Sequence, residues 1–251
     1  MQSETKEKVS FGFEDIEASQ KASRVNSLFS DVAEKYDLMN DIMSFGMHRI
    51  WKDQFVALLS PSAHKSYLDV AGGTGDIALK IAEKCGSGHN ITVADLTYNM
   101  LERGLQREDA YNDQIQRVNA DAENLPFGDQ NFDGYTISYG IRNVTFIEKV
   151  LSEAYRVLKP GGKFMCLEFT MPPYPLFKKI YDAYSFHILP KMGKVISNDE
   201  ESYRYLAESI RRFPKAGHFE HLIKEAGFQN TSYKMLSSGI TAIHIGHKIT
   251  L

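Results

Sequence analysis

Hydrophobic and polar positions repeat along the chain with two different periods. From Ser19 to about Leu59 the apolar residues recur every three to four positions, the spacing of helices that bury one face. Pro61 ends this stretch. Residues 1–18 are mostly polar, and we expect them to be loosely ordered. The pattern therefore predicts a helical N-terminal preface over residues 1–60.

Beyond Pro61 short apolar runs alternate with amphipathic ones. Five runs have the character of strands, with helical runs between most of them: YLDVA, ITVADL, IQRVNAD, NFDGYTISY and KFMCLEF. Such a series predicts a parallel sheet with right-handed crossovers. The final segments QNTSYKML and ITAIHIGHKI flank a Ser-Ser-Gly turn and predict a β-hairpin. Residues 61–251 are therefore predicted to form an α/β domain whose sheet ends in an antiparallel hairpin, unlike a symmetric dinucleotide-binding fold.

Residues 171–213 interrupt the series with an aromatic, helical insertion. Its aromatic residues are Tyr174, Phe177, Tyr181, Tyr184, Phe186, Tyr203, Tyr205 and Phe213, and the interleaved lysines are Lys178, Lys179, Lys191 and Lys194. By composition alone, this segment is the core of a helical cap. The alternative is a lid over a substrate groove, with the lysines facing lipid head groups.

A glycine-rich turn, LDVAGGTGD, joins the first predicted strand to the first helix of the sheet. Glycines there permit unusual backbone angles and let the backbone approach a ligand closely. The run from Gly73 to Ala78 satisfies the relaxed G-x-G-x-x-A dinucleotide pattern. By itself the match is weak, because such turns are often purely structural.

Three features near the turn favour a different nucleotide. Asp76 opens the following helix, where its carboxylate would repel a pyrophosphate but not an ammonium group. Asp95 ends the second strand, twenty residues after Gly75. A carboxylate at this position accepts hydrogen bonds from ribose hydroxyls, and the alternative is an ordinary cap of the next helix. Asp121 and Ala122 follow the third strand in a loop suited to an adenine ring. Adenosine with a cationic amino-acid tail is S-adenosylmethionine, which we therefore favour as cofactor.

Composition narrows the classes of function. The chain of 251 residues is 43% hydrophobic, which is enough for a sizeable core, and its net charge of −3 provides no basic field for nucleic acid. Its two cysteines form no disulfide framework or metal pattern, which fits a reducing, cytoplasmic compartment. We see no signal peptide and no apolar run long enough to span a membrane.

At these residues the chain resembles class I S-adenosylmethionine-dependent methyltransferases. Two longer stretches, YDLMNDIMSFGMHRIW and RVLKPGGKFMCLEFT, are similar to the two signatures of UbiE-type quinone-biosynthesis C-methyltransferases. LDVAGGTGD, ISYGIRNV and NDEESYRYLAESI look like the same family. The resemblance covers nearly the whole chain from about Phe11. It implies the Rossmann-like seven-stranded sheet of that class, whose last strand runs antiparallel.

The resemblance also implies a reaction and a set of contacts. The reaction is C-methylation of a polyprenylated benzoquinol in ubiquinone synthesis, of demethylmenaquinol in menaquinone synthesis, or of both. The implied cofactor contacts are Thr74, Asp95, Asp121, Ala122 and Ser138. We also expect peripheral contact of the insertion with a membrane surface at the inner membrane, and the exposed-looking helical preface is compatible with a homodimer or a quinone-synthesis complex. The alternatives are O- or N-methylation, a nicotinamide-dependent oxidoreductase and a non-catalytic subunit of such a complex.

The proposed chemistry needs an electron-rich ring and control of a phenolic proton. An aromatic carbon attacks a sulfonium methyl only when the ring is reduced and a hydroxyl is deprotonated, and no metal is required. We favour Arg142, just past the fourth strand, to stabilise the phenolate or orient a water. Its alternative role is a salt bridge that holds the loop. His48 and His187 are rival bases by chemical type, although a structural role is expected more often for each.

Overall fold

The computed structural model describes residues 7–32, 41, 44, 46–86, 88, 90–107, 109, 111–175, 181–188, 190–191, 194 and 200–249. Its strands are β1 (Lys8–Phe11), β2 (Glu14–Glu17), β3 (Ser66–Val70), β4 (Asn90–Asp95), β5 (Ile115–Asn119), β6 (Phe132–Ser138), β7 (Leu158–Phe169), β8 (Gln229–Leu236) and β9 (Thr241–His247). Its helices are α1 (Ala18–Val32), α2 (Met47–Leu59), α3 (Asp76–Cys85), α4 (Tyr98–Leu105), α5 (Ile147–Val157), α6 (Glu200–Arg212) and α7 (Ala216–Glu225).

A seven-stranded sheet organises the described residues, in the order β5-β4-β3-β6-β7-β9-β8. The first five of these strands pair in parallel, and β9 pairs antiparallel with both β7 and β8. This confirms the predicted α/β class, the parallel series and the terminal hairpin. One detail was not foreseen: β9 lies between β7 and β8, so the last strand is internal to the sheet.

Helices cover both faces of the sheet, which explains why its strands read as nearly continuous apolar runs. One core joins α2 and α3 to the sheet, with Phe55 and Ile81 fully buried. The other joins α5 and α7 to the opposite face, with Leu151 and Phe219 fully buried. Stable layers on both sides hold the strand ends in fixed positions. No helix in the described part of the chain is both long and apolar enough to cross a bilayer.

The N-terminal prediction is only partly correct. Helices α1 and α2 lie within the stretch that was predicted to be helical, but Lys8–Phe11 and Glu14–Glu17 form a hairpin rather than loose chain. Gly12 supplies its turn, with φ at +58°. The Phe11 ring lies 4.4 Å from that of Tyr205, and Phe13 N donates to Glu208 Oε2 at 3.0 Å. These partners lie almost 200 positions away, so no local pattern reveals them.

Candidate active site

The ends of β3, β4, β5 and β6 meet at one edge of the sheet, where open α/β sheets bind ligands. A cleft lies at this edge and is called the main cleft below. Its walls come from the glycine turn after β3, the end of β4 and the loops after β5 and β6. Helix α1 contributes an apolar wall of Ala22, Val25 and Phe29. The predicted preface therefore forms part of the candidate site.

The glycine turn brings backbone against the end of β4. Gly73 and Gly75 have φ values of +56° and +92°, which favour glycine over other residues. A Cβ built on Gly72 would lie only 2.6 Å from Asp69 Oδ2. The turn thus needs glycine for both reasons given by the sequence, backbone angle and close approach. Thr74 is buried within it.

Asp95 ties this turn to the strand beside it. Its Oδ2 accepts a hydrogen bond from Gly73 N at 2.8 Å, and its Oδ1 accepts one from Thr97 N at 2.8 Å. Burial raises the pKa of the carboxyl, and these two backbone bonds oppose that shift. Asp95 also lines the main cleft, where each oxygen retains a second lone pair. The carboxylate is therefore placed to accept hydrogen bonds from the hydroxyl groups of a ligand.

Asp121 and Ala122 line the main cleft as well. Asp121 is exposed, and its Oδ1 accepts a hydrogen bond from Glu123 N at 2.9 Å, which shapes the turn after β5. Ala122 is buried, and the apolar side chains of Leu96 and Met100 line the same cleft. The arrangement offers one carboxylate and an apolar surface, as an aminated aromatic ring requires.

A smaller cavity, the turn cavity, lies beside the glycine turn. Its lining includes Thr74, Ser138 and Asp69. Ser138 Oγ and Asp69 Oδ2 are buried without a hydrogen-bond partner among the described residues. Burial raises the pKa of Asp69 to about 7, although Thr136 Oγ1 donates to its other oxygen at 2.8 Å. Such unpaired groups are costly unless a polar ligand satisfies them.

Asp69 is a candidate that sequence reasoning missed. It lies inside the apolar run YLDVA, on a strand that is buried on both faces. A carboxyl group there is costly to bury, and this was the available signal.

Asp76 does not present the uncompensated negative charge that the sequence suggested. Its Oδ2 accepts a hydrogen bond from Lys52 Nζ at 2.7 Å, and Oδ1 pairs with Arg107. Burial alone would raise the pKa of Asp76, but the two cations together hold it well below the usual range. The partners come from α2 and from the segment after α4, so the cluster is visible only in three dimensions.

We expect Asp76→Asn to lower the free energy of unfolding by about 1 to 3 kcal/mol at neutral pH, because Lys52, with 7% of its side chain exposed, loses this carboxylate. Because the pKa of Asp76 is lower in the folded than in the unfolded protein, its ionised carboxylate stabilises the fold above the ordinary pKa range of aspartate. This stabilisation is lost as the pH falls through the pKa of the folded state. The variant should therefore still differ from wild type near pH 4 (about the ordinary aspartate pKa). Denaturant unfolding at several pH values measures this.

The matched control is Asp53→Asn, which removes an aspartate with 64% of its side chain exposed from its pair with Lys80. An exposed pair of this kind contributes less than about 1 kcal/mol. Equal effects of the two changes, or an Asp76 effect that disappears by about pH 5, would contradict the role assigned to Asp76.

Arg142 lies in the turn Ile141–Asn143 after β6, and its guanidinium is buried. Nη1 donates to Glu168 Oε1 at 2.8 Å. Burial raises the pKa of Glu168, and Arg142 opposes that shift. Arg142 lines a separate polar cavity, the Arg142 cavity, which shares Val144 and Thr145 with the main cleft. The salt bridge given as its alternative role is present, and its contact with an acceptor stays a prediction.

The structure describes the side chain of only one of the two histidine candidates. His48 is buried, and its Nδ1 lies 2.8 Å from Ser44 Oγ. Burial and the nearby Lys52 lower its pKa to about 4, and it lines none of the three cavities described here. His187 falls in the short π-helix Tyr184–Ile188, but its side chain lies outside the described part of the structure. Among the described residues, no three His, Cys, Asp or Glu side chains form a group that could hold a metal.

The aromatic insertion divides into buried and exposed parts. Tyr203, Tyr205 and Phe213 are buried, as expected for the core of a helical cap. Tyr174 is 63% exposed, and Lys191 and Lys194 are also exposed. Three further members fall outside the described residues, and they are Phe177, Lys178 and Lys179.

Comparison with known proteins identifies the family. Residues 17–248 match the model of the ubiE/COQ5 methyltransferase family. The ubiquinone/menaquinone biosynthesis C-methyltransferase UbiE of Brucella anthropi is 51% identical over 96% of this chain and 93% of the relative. The protein of the same name from Bartonella tribocorum is 53% identical over 96% of this chain and 94% of its own length.

Solved structures agree at the level of the fold. A possible histamine N-methyltransferase from Thermotoga maritima superposes with a TM-score of 0.63 at 20% identity, over 89% of this chain and 99% of that one. Phosphoethanolamine N-methyltransferase 2 from Haemonchus contortus, solved with S-adenosylmethionine, gives a TM-score of 0.59 at 15% identity, over 80% of this chain and 52% of that one. Both share the mixed α/β architecture described above.

Proposed function

The chain belongs to the ubiE/COQ5 methyltransferase family, and from this premise we propose that it methylates a ring carbon of a polyprenylated quinol. The protein is an S-adenosylmethionine-dependent C-methyltransferase of ubiquinone and menaquinone biosynthesis. The observation that carries this conclusion is the identity of 51 to 53% to two such enzymes over 96% of the chain. Its substrates are a reduced 2-polyprenyl-6-methoxy-1,4-benzoquinol, demethylmenaquinol, or both.

The residues around the two cavities fit the cofactor. We assign Asp95 to the ribose hydroxyls and Asp121 and Ala122 to the adenine ring. Thr74 and Ser138 line the turn cavity, where the amino-acid tail of the cofactor would lie. S-adenosylmethionine supplies an electrophilic methyl group when bound. The fit is supported by the unpartnered Ser138 Oγ and Asp69 Oδ2, since an ammonium or hydroxyl group there would satisfy both.

We place the acceptor ring between α1 and the loop that follows β6. The apolar wall of α1 suits an aromatic ring, and alignment of the ring carbon behind the methyl can contribute about 7 to 11 kcal/mol to the lowering of the barrier. Glu168 holds the Arg142 guanidinium in a fixed position at this loop. Arg142 is our candidate catalytic residue, and it stabilises the phenolate oxygen of the acceptor.

The insertion is proposed as the lid that receives the polyprenyl tail. The exposed Tyr174, Lys191 and Lys194 support peripheral contact with a lipid surface, because aromatic and basic side chains favour the interface. A homodimer or a quinone-synthesis complex stays a prediction. Changing Lys191 and Lys194 to Gln and comparing vesicle binding with that of wild type tests the lipid contact.

The proposed reaction is tested with purified protein, methyl-labelled S-adenosylmethionine and reduced benzoquinol or naphthoquinol analogues. We expect the label on a ring carbon, located by mass spectrometry, and no product from the oxidised quinones, because only the reduced ring is electron-rich. Label on an oxygen, or cofactor binding without methylation of any reduced ring, would contradict C-methylation. Parallel reactions with the two ring types show which one the enzyme prefers.

A further inference from the structure

The Arg142 cavity is walled by four separate parts of the chain. They are the turn between β1 and β2, helix α1, the loop after β6 and helix α6. Val144 and Thr145 line both this cavity and the main cleft, so the two cavities are neighbours at the loop after β6.

Lys21 of α1 lines this cavity and is unusually buried for a lysine. The residue is only 5% exposed, and the opposite charge that acts on its amine is the Glu123 carboxylate. A buried amine costs folding free energy, and proteins usually pair such groups. Arg142 Nε, in the same cavity, is buried without a partner among the described residues. Two basic residues thus line a space that a small oxygen-bearing group would fill.

Several charged and titratable groups line the Arg142 cavity or lie next to residues that line it. Glu123 comes from the loop after β5, and its Oε1 accepts hydrogen bonds from Thr145 N and Phe146 N at 2.6 and 3.0 Å. The remaining groups near the cavity are Arg142 after β6, Tyr205, Glu208 and Arg212 from α6. Burial lowers the pKa of Lys21, and the Glu123 carboxylate opposes the shift. A larger fraction of the amine is therefore neutral than for an exposed lysine.

We propose that the Arg142 cavity receives a ring hydroxyl of the acceptor and that the Lys21 amine takes its proton. The inference rests on the proposed function and deepens it by naming the base. Arg142 then stabilises the phenolate oxygen, a task that suits a guanidinium far better than proton removal. In this proposal Lys21 is the general base and Arg142 is the electrostatic stabiliser of the phenolate.

The step balances in atoms and electrons. The neutral amine of Lys21 accepts the phenolic proton and becomes an ammonium, while the oxygen becomes a phenolate. The ring carbon forms a bond to the methyl carbon as the methyl–sulfur bond breaks, and that electron pair stays on sulfur as a neutral thioether. The ring C–H proton then leaves to water and restores aromaticity. Lys21 returns its proton to the phenolate oxygen, so each turnover releases one proton.

The test compares wild type with Lys21→Met and Lys21→Arg. Met is close in shape to the aliphatic part of lysine and Arg keeps the positive charge, and neither can accept a proton at neutral pH. Loss of a general base lowers rates by about 100- to 10,000-fold, so we expect kcat to fall at least about 100-fold with the affinity for S-adenosylmethionine unchanged. The rise of kcat with pH should move to higher pH. Lys21→Met should melt at an equal or higher temperature, because it replaces a buried amine by an apolar group.

A binding readout that needs no turnover accompanies the kinetics. The probe is 4-nitrophenol, added with S-adenosylhomocysteine at a pH below the pKa of the free phenol. Wild type should bind it as the coloured phenolate, whereas Lys21→Met should bind it as the neutral phenol. The control is Lys163→Met, which removes a partly buried lysine whose Nζ donates to Leu58 O and Leu59 O, away from the cavities. It should leave both readouts unchanged.

Two results would overturn the inference. One is a Lys21→Met enzyme whose kcat stays within about threefold of wild type with the same pH profile, far short of the loss of a base. The other is a phenolate band that is absent from wild type or retained in Lys21→Met. A wild-type enzyme that methylates no reduced ring refutes the proposed function instead, and the 4-nitrophenol readout still decides the role of Lys21.

Discussion

Asp95→Asn is expected to weaken S-adenosylmethionine binding by about 100-fold. The wild-type carboxylate accepts one backbone N–H on each oxygen, from Gly73 and Thr97. An amide has only one oxygen, so its NH₂ group must face one of those donors and the glycine turn loses its tie to β4. The variant also loses an acceptor for the ribose hydroxyls. Isothermal titration calorimetry measures the affinity directly.

Asp113→Asn is the matched control for this change. Asp113 is exposed and lies outside the three cavities, so the same chemical substitution should leave affinity within about twofold, as for most surface changes. Wild-type affinity in Asp95→Asn would remove Asp95 from the cofactor site. Thermal melting without cofactor checks that any loss of binding does not simply reflect unfolding.

The Arg142–Glu168 pair gives the second large effect. Each of Arg142→Met and Glu168→Gln is expected to lower the free energy of unfolding by about 3 to 5 kcal/mol, because each leaves a buried partner uncompensated. The double variant removes both charges and should recover most of that stability. Turnover should stay lost in the double variant, because the group that stabilises the phenolate is gone. Denaturant unfolding and kcat, measured on the same four proteins, separate the two roles.

A surface pair provides the comparison for these variants. Arg204 and Glu200 form an i,i+4 pair on α6, with 58% and 41% of their side chains exposed, and Arg204→Met should cost less than about 1 kcal/mol. If the stable double variant turns over at the wild-type rate, Arg142 only holds the loop. That outcome would confirm the salt bridge as its sole role and would end its assignment as a catalytic residue.

The sequence predicts those parts of the molecule that depend on local pattern. Periodicity gives the parallel strands and their helices, and parallel strands necessarily bring their carboxyl ends to one edge. For that reason Asp95 and Asp121, which are far apart in the chain, could be expected in one cleft. The glycine turn was recognisable because its backbone angles and close contacts require particular residues at particular positions.

What the sequence could not provide depends on pairing between distant segments. Lys52 and Arg107 meet at Asp76 only because α2 and the segment after α4 converge there. The same holds for Lys21, which reads as an ordinary polar position on an amphipathic helix until α6 and the loop after β6 cover it. Whether a charged side chain is buried depends on tertiary packing, and the hydrophobic periodicity of the sequence does not reveal it.

The internal position of β9 has a consequence for how the enzyme is made. Thr241 Oγ1 at the start of β9 donates to Glu168 O at 2.8 Å, so the last strand braces the residue that holds Arg142. A ribosome delivers β9 after every other strand of the sheet, and β7 and β8 cannot join before it emerges. A nascent chain can therefore assemble its cofactor turn early, but it gains an ordered Arg142 only when synthesis has passed β9. Chains that stop short of that strand are therefore expected to be inactive.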